Sequence, residues 1–306
     1  MTFALRRRPL GLAHTWMREA FAPQLCLHSR VLARTNSART TMDGPRVWST
    51  ASERTPGLAT ITVSNPTKLN IVNGTMLQQL VAVCRKLSSE STLRAVVLTG
   101  AVTAPNKQDS FIGGADIKEM HALASPDEAR AFINCVHLAC QALRDLPVPC
   151  LARVNGFALG AGLEIMAACD LRVATKKSVF AMPEVKVGIP SVVEANLLPS
   201  LIGMGRTRRL LYLAENIGAE EAERWGLVEK VVADEVALDE VIGDWVSTLV
   251  RLAPGAVRSQ KKLMLKWEDA SIEEGIEAGI EAFADAYADG GIEPKQYMGQ
   301  FLGRKR

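Results

Sequence analysis

The chain has 306 residues, 48% hydrophobic and 23% charged, the balance of a globular protein built around one large core. No run approaches the roughly 18 apolar residues of a membrane span, which argues against an integral membrane protein. Aromatics at 5% are too sparse for a base-stacking surface. The formal charge of +3 is unevenly placed: eight of the 36 basic and two of the 33 acidic residues fall within 1–46, leaving 28 against 31, a net −3 for the rest.

Residues 1–46 are Arg-rich, hydroxyl-rich and almost free of acids, the composition of a mitochondrial transit peptide and so of a matrix protein. A disordered arm and a nucleic-acid-binding arm are the alternatives. From Leu58 onward strands and helices alternate. Leu58 to Ser64 is short and β-branched, bounded by Pro56-Gly57 and Asn65-Pro66, and reads as a strand. Residues 75–88 carry Met76, Leu80, Val83 and Leu87 at helical spacing. Ala95 to Thr99 is an apolar run suited to a strand buried on both faces. Ser125-Pro126-Asp127-Glu128 opens a helix with an N-cap, a proline in the first turn and a capping Glu; its apolar stripe runs through Phe132, Val136, Cys140 and Leu143.

Cys150 to Val154 and Leu171 to Ala174 read as further buried strands, and strands end near Leu227 to Val232. The remainder is helical, with a capping box at Ser271–Glu274 and one apolar face through Ile272, Ile276, Ile280, Phe283 and Tyr287. That face packs either on the chain's own core or on a second subunit. The division is a leader at 1–46, an α/β core at 47–245 and a helical region at 246–306.

Six cysteines (Cys26, Cys84, Cys135, Cys140, Cys150, Cys169) lack CxxC spacing and read as reduced, mostly buried residues, with no zinc site spelled out. No triad, P-loop, HExxH or dinucleotide fingerprint is present. Of the two histidines outside the leader, His121 and His137, the second lies near an apolar stripe and reads as a packed core residue. Two glycine-rich turns remain, Phe111-Ile112-Gly113-Gly114-Ala115-Asp116-Ile117-Lys118 and Asn155-Gly156-Phe157-Ala158-Leu159-Gly160-Ala161-Gly162. Glycines before a helix let amide N–H groups face outward at the positive end of the dipole. Two such turns brought together would supply converging donors for a carbonyl oxygen that becomes negative. Two carboxylates accompany them. Glu164 lies in an otherwise apolar segment, and is either a cleft acid or a helix-start Glu steadied by the dipole. Glu184 follows Phe180-Ala181-Met182-Pro183 and is either a site residue or an exposed turn residue.

These motifs, with Asn65-Pro66-Thr67-Lys68-Leu69-Asn70, Ala168-Cys169-Asp170 and Gly188-Ile189-Pro190, stand in an order that resembles the enoyl-CoA hydratase/isomerase, or crotonase, superfamily across residues 55–306. The resemblance implies a spiral of ββα units with a C-terminal helical trimerisation region. It implies an oxyanion hole from the amides of Ala115 and Ala161, and a substrate site at Lys68, Leu69, Ala115, Asp116, Ile117, Lys118, Gly160 and Ala161, of which Lys68, Leu69 and 115–118 hold the coenzyme A portion. Glu164 and Glu184 match the two catalytic glutamates of the hydratases. The implied reaction is hydration of a trans-2-enoyl-CoA by a homotrimer or hexamer. No metal or further cofactor is implied, and no nucleic-acid or membrane partner. The alternatives are a Δ3-Δ2-enoyl-CoA isomerase and a catalytically idle acyl-CoA- or RNA-binding relative, the latter through a basic patch such as Arg258–Lys266. Two departures touch the acyl pocket. Pro190-Ser191-Val192-Val193-Glu194-Ala195-Asn196 replaces the family's glycine-rich loop, and Met182 stands where short-chain hydratases have a glutamine that orients a catalytic glutamate. Glu194 is read as a helix residue rather than a third acid of the pocket.

Overall fold

The computed structural model describes residues 44–303, so nearly all of the leader, Cys26 included, lies outside the described residues. Two sheets form the frame. The larger is ordered β1 (Arg46–Ala51), β2 (Leu58–Ser64), β3 (Ala95–Gly100), β5 (Cys150–Val154), β7 (Leu171–Thr175) and β10 (Lys230–Val232). It is parallel throughout except for β1, which runs antiparallel to β2. The smaller is ordered β4 (Ser110–Ile112), β6 (Phe157–Leu159), β8 (Val179–Ala181) and β9 (Ile217–Gly218). The chain visits them in turn. β3 and β4 precede α2 (Ile117–His121) and α3 (Pro126–Arg144), β5 and β6 precede α4 (Ala161–Ala167), and β7 and β8 precede α5 (Leu198–Leu213). Each pass adds one strand to each sheet and then a helix, which is the repeating ββα unit.

The apolar runs explain the large sheet. Val96, Leu98, Ala152, Val154 and Ala174 face the main core, which also takes Met76, Leu80 and Leu87 of α1 (Gly74–Ser88) and Val136, Cys140 and Leu143 of α3. Their alternate neighbours Ala95, Val97, Leu151 and Val173 face Leu238, Ile242 and Val246 of α7 (Glu235–Leu249). A strand buried on both faces must be apolar without alternation. Capping fixes the helix starts. Asn73 accepts from the Met76 amide, Ser125 accepts from the Glu128 amide, and the Glu128 carboxylate accepts in turn from the Ala124 amide just before α3.

Two boundaries move. Arg46, counted with the leader, opens β1 and stacks over Trp48 at 4.5 Å. The division at 245 falls inside α7, which belongs to the core; the extension proper is α8 (Pro254–Asp269), α9 (Ile272–Asp285) and α10 (Ile292–Leu302). The extension is tied down by Lys261 of α8. It is 3% exposed and donates to the Val148 carbonyl at 3.0 Å and to Asp170 at 2.8 Å. Arg258 donates to the Ser91 and Leu93 carbonyls. Two cations of the suspected basic patch are therefore spent inside the molecule. The α9 stripe is uncovered, with Ile272, Ile276, Ile280 and Phe283 each more than 60% exposed. No helix among the described residues is long and apolar enough to cross a membrane.

Candidate active site

The small sheet brings the two glycine turns together. Parallel pairing of Ile112 with Ala158 places Gly113–Ala115 alongside Leu159–Ala161. The packing needs glycine: a Cβ on Gly162 would stand 2.0 Å from the Ile112 carbonyl oxygen. Gly160 adopts φ +51°, ψ −123°, and then starts α4. Among the described residues the amides of Ala115 and Ala161 donate to no other group. Two adjoining turns thus present free N–H groups, one at a helix N-terminus, the requirement set by a developing oxyanion.

The loop at 65–72 is stitched to the first turn. Gly113 donates to the Leu69 carbonyl at 2.9 Å, Val72 to Gly114 at 2.9 Å, and Asp116 to Val72 at 2.8 Å. Asn70, fully buried at φ +55°, holds the loop's shape by donating to the Ala101 and Ser110 carbonyls and accepting from the Asn65 amide. Lys68 reaches Asp116 at 3.5 Å, and Asp116 caps α2 through the Lys118 amide. Lys68, Leu69 and residues 115–118 therefore share one rim, with Lys68, Ile117 and Lys118 exposed at the mouth.

Both carboxylates face this place. Glu164 is 4% exposed and accepts from the Ala195 amide at 3.0 Å. Burial, then the charge of Glu184, push its proton affinity up to about 8, against a smaller opposing pull from the Ala195 N–H. Glu184 opens a 3-10 turn after β8 and lies half-buried rather than in an exposed turn. Its Oε1 abuts Gly160, where a Cβ would stand 2.6 Å away. Burial raises its affinity too, and the Ser191 hydroxyl, donating at 2.9 Å, is among the bonds that hold it back. The proton affinity of both acids is thus raised by burial, with Glu164 the more enclosed of the two. Among the described residues no cluster of His, Cys, Asp or Glu is placed to hold a metal ion.

Sequence reasoning missed three participants. Met182 is fully buried in the core, and the bond it cannot give to a glutamate comes instead from Ser191. Glu194 is no ordinary helix residue: it sits 6% exposed on a 3-10 turn (Val193–Leu197) beside Glu164. His137 is not a packed core residue either. Its side chain is 42% exposed and meets Glu194 through Nδ1 at 2.8 Å. Only Ser191 and Glu194 left a signal, as polar residues in a loop where the resemblance leads one to expect glycines. Cys84, Cys140, Cys150 and Cys169 are buried, Cys135 is half-buried, and all five are free thiols.

The turns and the two acids lie together at one place in the fold, and comparison with known proteins places the chain in a family. The enoyl-CoA hydratase/isomerase family model matches residues 53–301. The short-chain-enoyl-CoA hydratase of Clostridium acetobutylicum is 36% identical over 222 residues, covering 72% of this chain and 82% of that one. The crotonyl-CoA hydratase of Syntrophomonas wolfei is 33% identical over 224 residues, 73% of this chain and 80% of its own. The crystal structure of an enoyl-CoA hydratase from Mycobacterium smegmatis superimposes with a TM-score of 0.78 at 30% identity, over 86% of this chain and 98% of the other. The chain belongs to the enoyl-CoA hydratase/isomerase family.

Proposed function

We propose that the chain hydrates a trans-2-enoyl-CoA thioester to the 3-hydroxyacyl-CoA. The observation that carries this reading is the meeting of Glu164 and Glu184 beside the free Ala161 amide. The thioester oxygen accepts from the Ala115 and Ala161 amides, each worth about 3–4 kcal/mol as negative charge builds there. Cβ becomes electrophilic, and the ionised carboxyl of the pair takes a proton from the attacking water. Hydroxide adds to Cβ while the protonated carboxyl delivers a proton to Cα. One molecule of water is consumed, no electrons are exchanged, and general acid–base assistance adds roughly 10²–10⁴-fold. Lys68, Leu69 and residues 115–118 hold the coenzyme A portion, and Gly160 keeps the wall beside the thioester bare of side chain.

Turnover of a panel of trans-2-enoyl-CoA thioesters, differing in acyl length and branching, tests this. Loss of the enoyl absorbance in at least one member is expected; none in any member overturns the reading. The reading extends to two properties of the whole protein. The exposed α9 stripe supports self-association into a trimer or a pair of trimers. The Arg-rich composition of 1–46 supports import into the mitochondrial matrix. N-terminal sequencing of the organellar protein should then begin beyond about residue 30, and an intact Met1 there would refute it.

A further inference from the structure

The turn that carries Glu194 is held in a conformation its own sequence disfavours. Val193 sits at φ +42°, in the left-handed region that a β-branched residue keeps only when its surroundings impose it. The next residue, Glu194, is 6% exposed, with Oε1 at 2.8 Å from His137 Nδ1. Its Oε2 is enclosed without a hydrogen-bond partner among the described residues. Ala195 follows, donating its amide to Glu164 at 3.0 Å. Three consecutive residues thus hold a strained backbone, the bond that anchors it to α3, and the donor that meets Glu164. An acid with an orphaned oxygen is an expensive anchor where an apolar side chain would fill the same space. The contact with Glu164 is what that expense secures.

We propose that His137 and Glu194 form a positioning pair that presses the Ala195 amide onto Oε1 of Glu164, leaving Oε2 as the oxygen that exchanges a proton. The inference rests on the reading of Glu164 as a reacting carboxyl. The groups facing this cluster are His137 and Cys140 from α3, with Arg144 further along that helix, Glu164 from α4, and Glu184 from the turn after β8. Burial, then the charge of Glu194, keep the Cys140 thiol protonated, so it adds no charge of its own. The two links from the turn act on Glu164 with opposite sign. The Ala195 N–H favours the carboxylate, and the Glu194 charge favours the acid.

The opposite signs make the pair testable against a merely structural role. His137→Ala breaks the anchor but keeps the Glu194 charge. It should lower kcat about tenfold or more with KM within about threefold, and move the alkaline limb of the pH–rate profile to higher pH. Glu194→Gln keeps an acceptor for His137 and removes the charge. It should move the same limb to lower pH. His137→Gln, whose amide reaches the same carboxylate, should recover most of the lost kcat. An unchanged kcat and alkaline limb in His137→Ala overturns the proposal, as does a KM that rises in step with the fall in kcat. If His137→Ala fails to fold on a melting curve, the decision passes to Glu194→Gln, and a limb that stays in place overturns it. The proton affinity of Glu164 is also read without turnover, from its protonated carbonyl stretch in difference infrared spectra assigned with Glu164→Gln. The same opposite shifts are expected there. A wild-type protein that hydrates nothing while the stretch responds as stated counts against the hydration reading and leaves the positioning pair intact.

Discussion

Replacing Ser191 by alanine removes one hydroxyl and leaves the backbone of its loop free to keep its course. In the wild type that hydroxyl donates to Glu184 Oε2 at 2.9 Å. A hydrogen bond to a charged group contributes about 1.5–3 kcal/mol when shielded. Glu184 is only half-buried, so water recovers part of the loss and about 1 kcal/mol is the fitting magnitude. The bond favours the charged form, so its removal raises the proton affinity of Glu184. An enzyme that needs one carboxyl ionised then loses activity at a higher pH on the acidic side. The acidic limb of kcat should therefore move to higher pH. At the optimum kcat should fall about fivefold, because the freed carboxyl loses its orientation. Ser191→Thr keeps a hydroxyl and should behave as wild type. The assay is kcat against pH on a short trans-2-enoyl-CoA. An alanine variant with the acidic limb and kcat of the wild type would refute the role given to Ser191.

Other expectations follow from burial and close approach. Glu164 binds its proton more tightly folded than unfolded, so its contribution to stability is complete below the ordinary carboxyl range and is lost as pH rises toward 8. Glu164→Gln should therefore be more stable to denaturant than wild type at pH 9, by a few kcal/mol at about 1.4 kcal/mol per pH unit, and show little advantage near pH 4; equal stability at both pH values contradicts this. Gly162→Ala drives a Cβ to 2.0 Å from the Ile112 carbonyl oxygen, forcing α4 off β4. It should cost about 2–3 kcal/mol in denaturant unfolding and abolish turnover, whereas full activity would mean that α4 does not fix the oxyanion donors. Ile276→Asp places a charge in the exposed α9 stripe and should yield a smaller or aggregating species on a sizing column. A wild-type protein that itself runs as a monomer defeats that expectation.

Much of the frame was legible because its signals are local. Leu58–Ser64 and Cys150–Val154 are strands with the spans read from the sequence: the first is β-branched and bounded by breakers, the second a nearly unbroken apolar run. The capping residues at Ser125 and Ser271 likewise mark their helices within four residues of chain. The three-residue strands β4, β6 and β8 were not legible, because no period repeats within three residues. Yet they are what bring the two glycine turns side by side. β1 escaped because its polar, half-buried sequence Arg46-Val47-Trp48-Ser49-Thr50-Ala51 adjoins the Arg-rich leader. Glu164 stood out as an acid among apolar neighbours, which is a one-dimensional signal. The pairing of His137 with Glu194 joins residues 57 apart in sequence, and only the folded turn reveals it.

The central claim is that two carboxyls of this one site move the protons of hydration. Glu164→Gln and Glu184→Gln keep shape and polar reach while removing the capacity to exchange a proton at the carboxyl. The direct measurement is kcat of each variant on a four-carbon trans-2-enoyl-CoA and on its 3-enoyl isomer, alongside acyl-CoA affinity. Each change should lower kcat of hydration by about 10²-fold or more. Affinity should persist, because Lys68 and residues 115–118 lie on the rim rather than at the acids. Loss of 3-enoyl turnover with only one of the two changes, in a wild type that hydrates nothing, would mark an isomerase. Hydration at the wild-type rate after both glutamates are replaced would contradict the account.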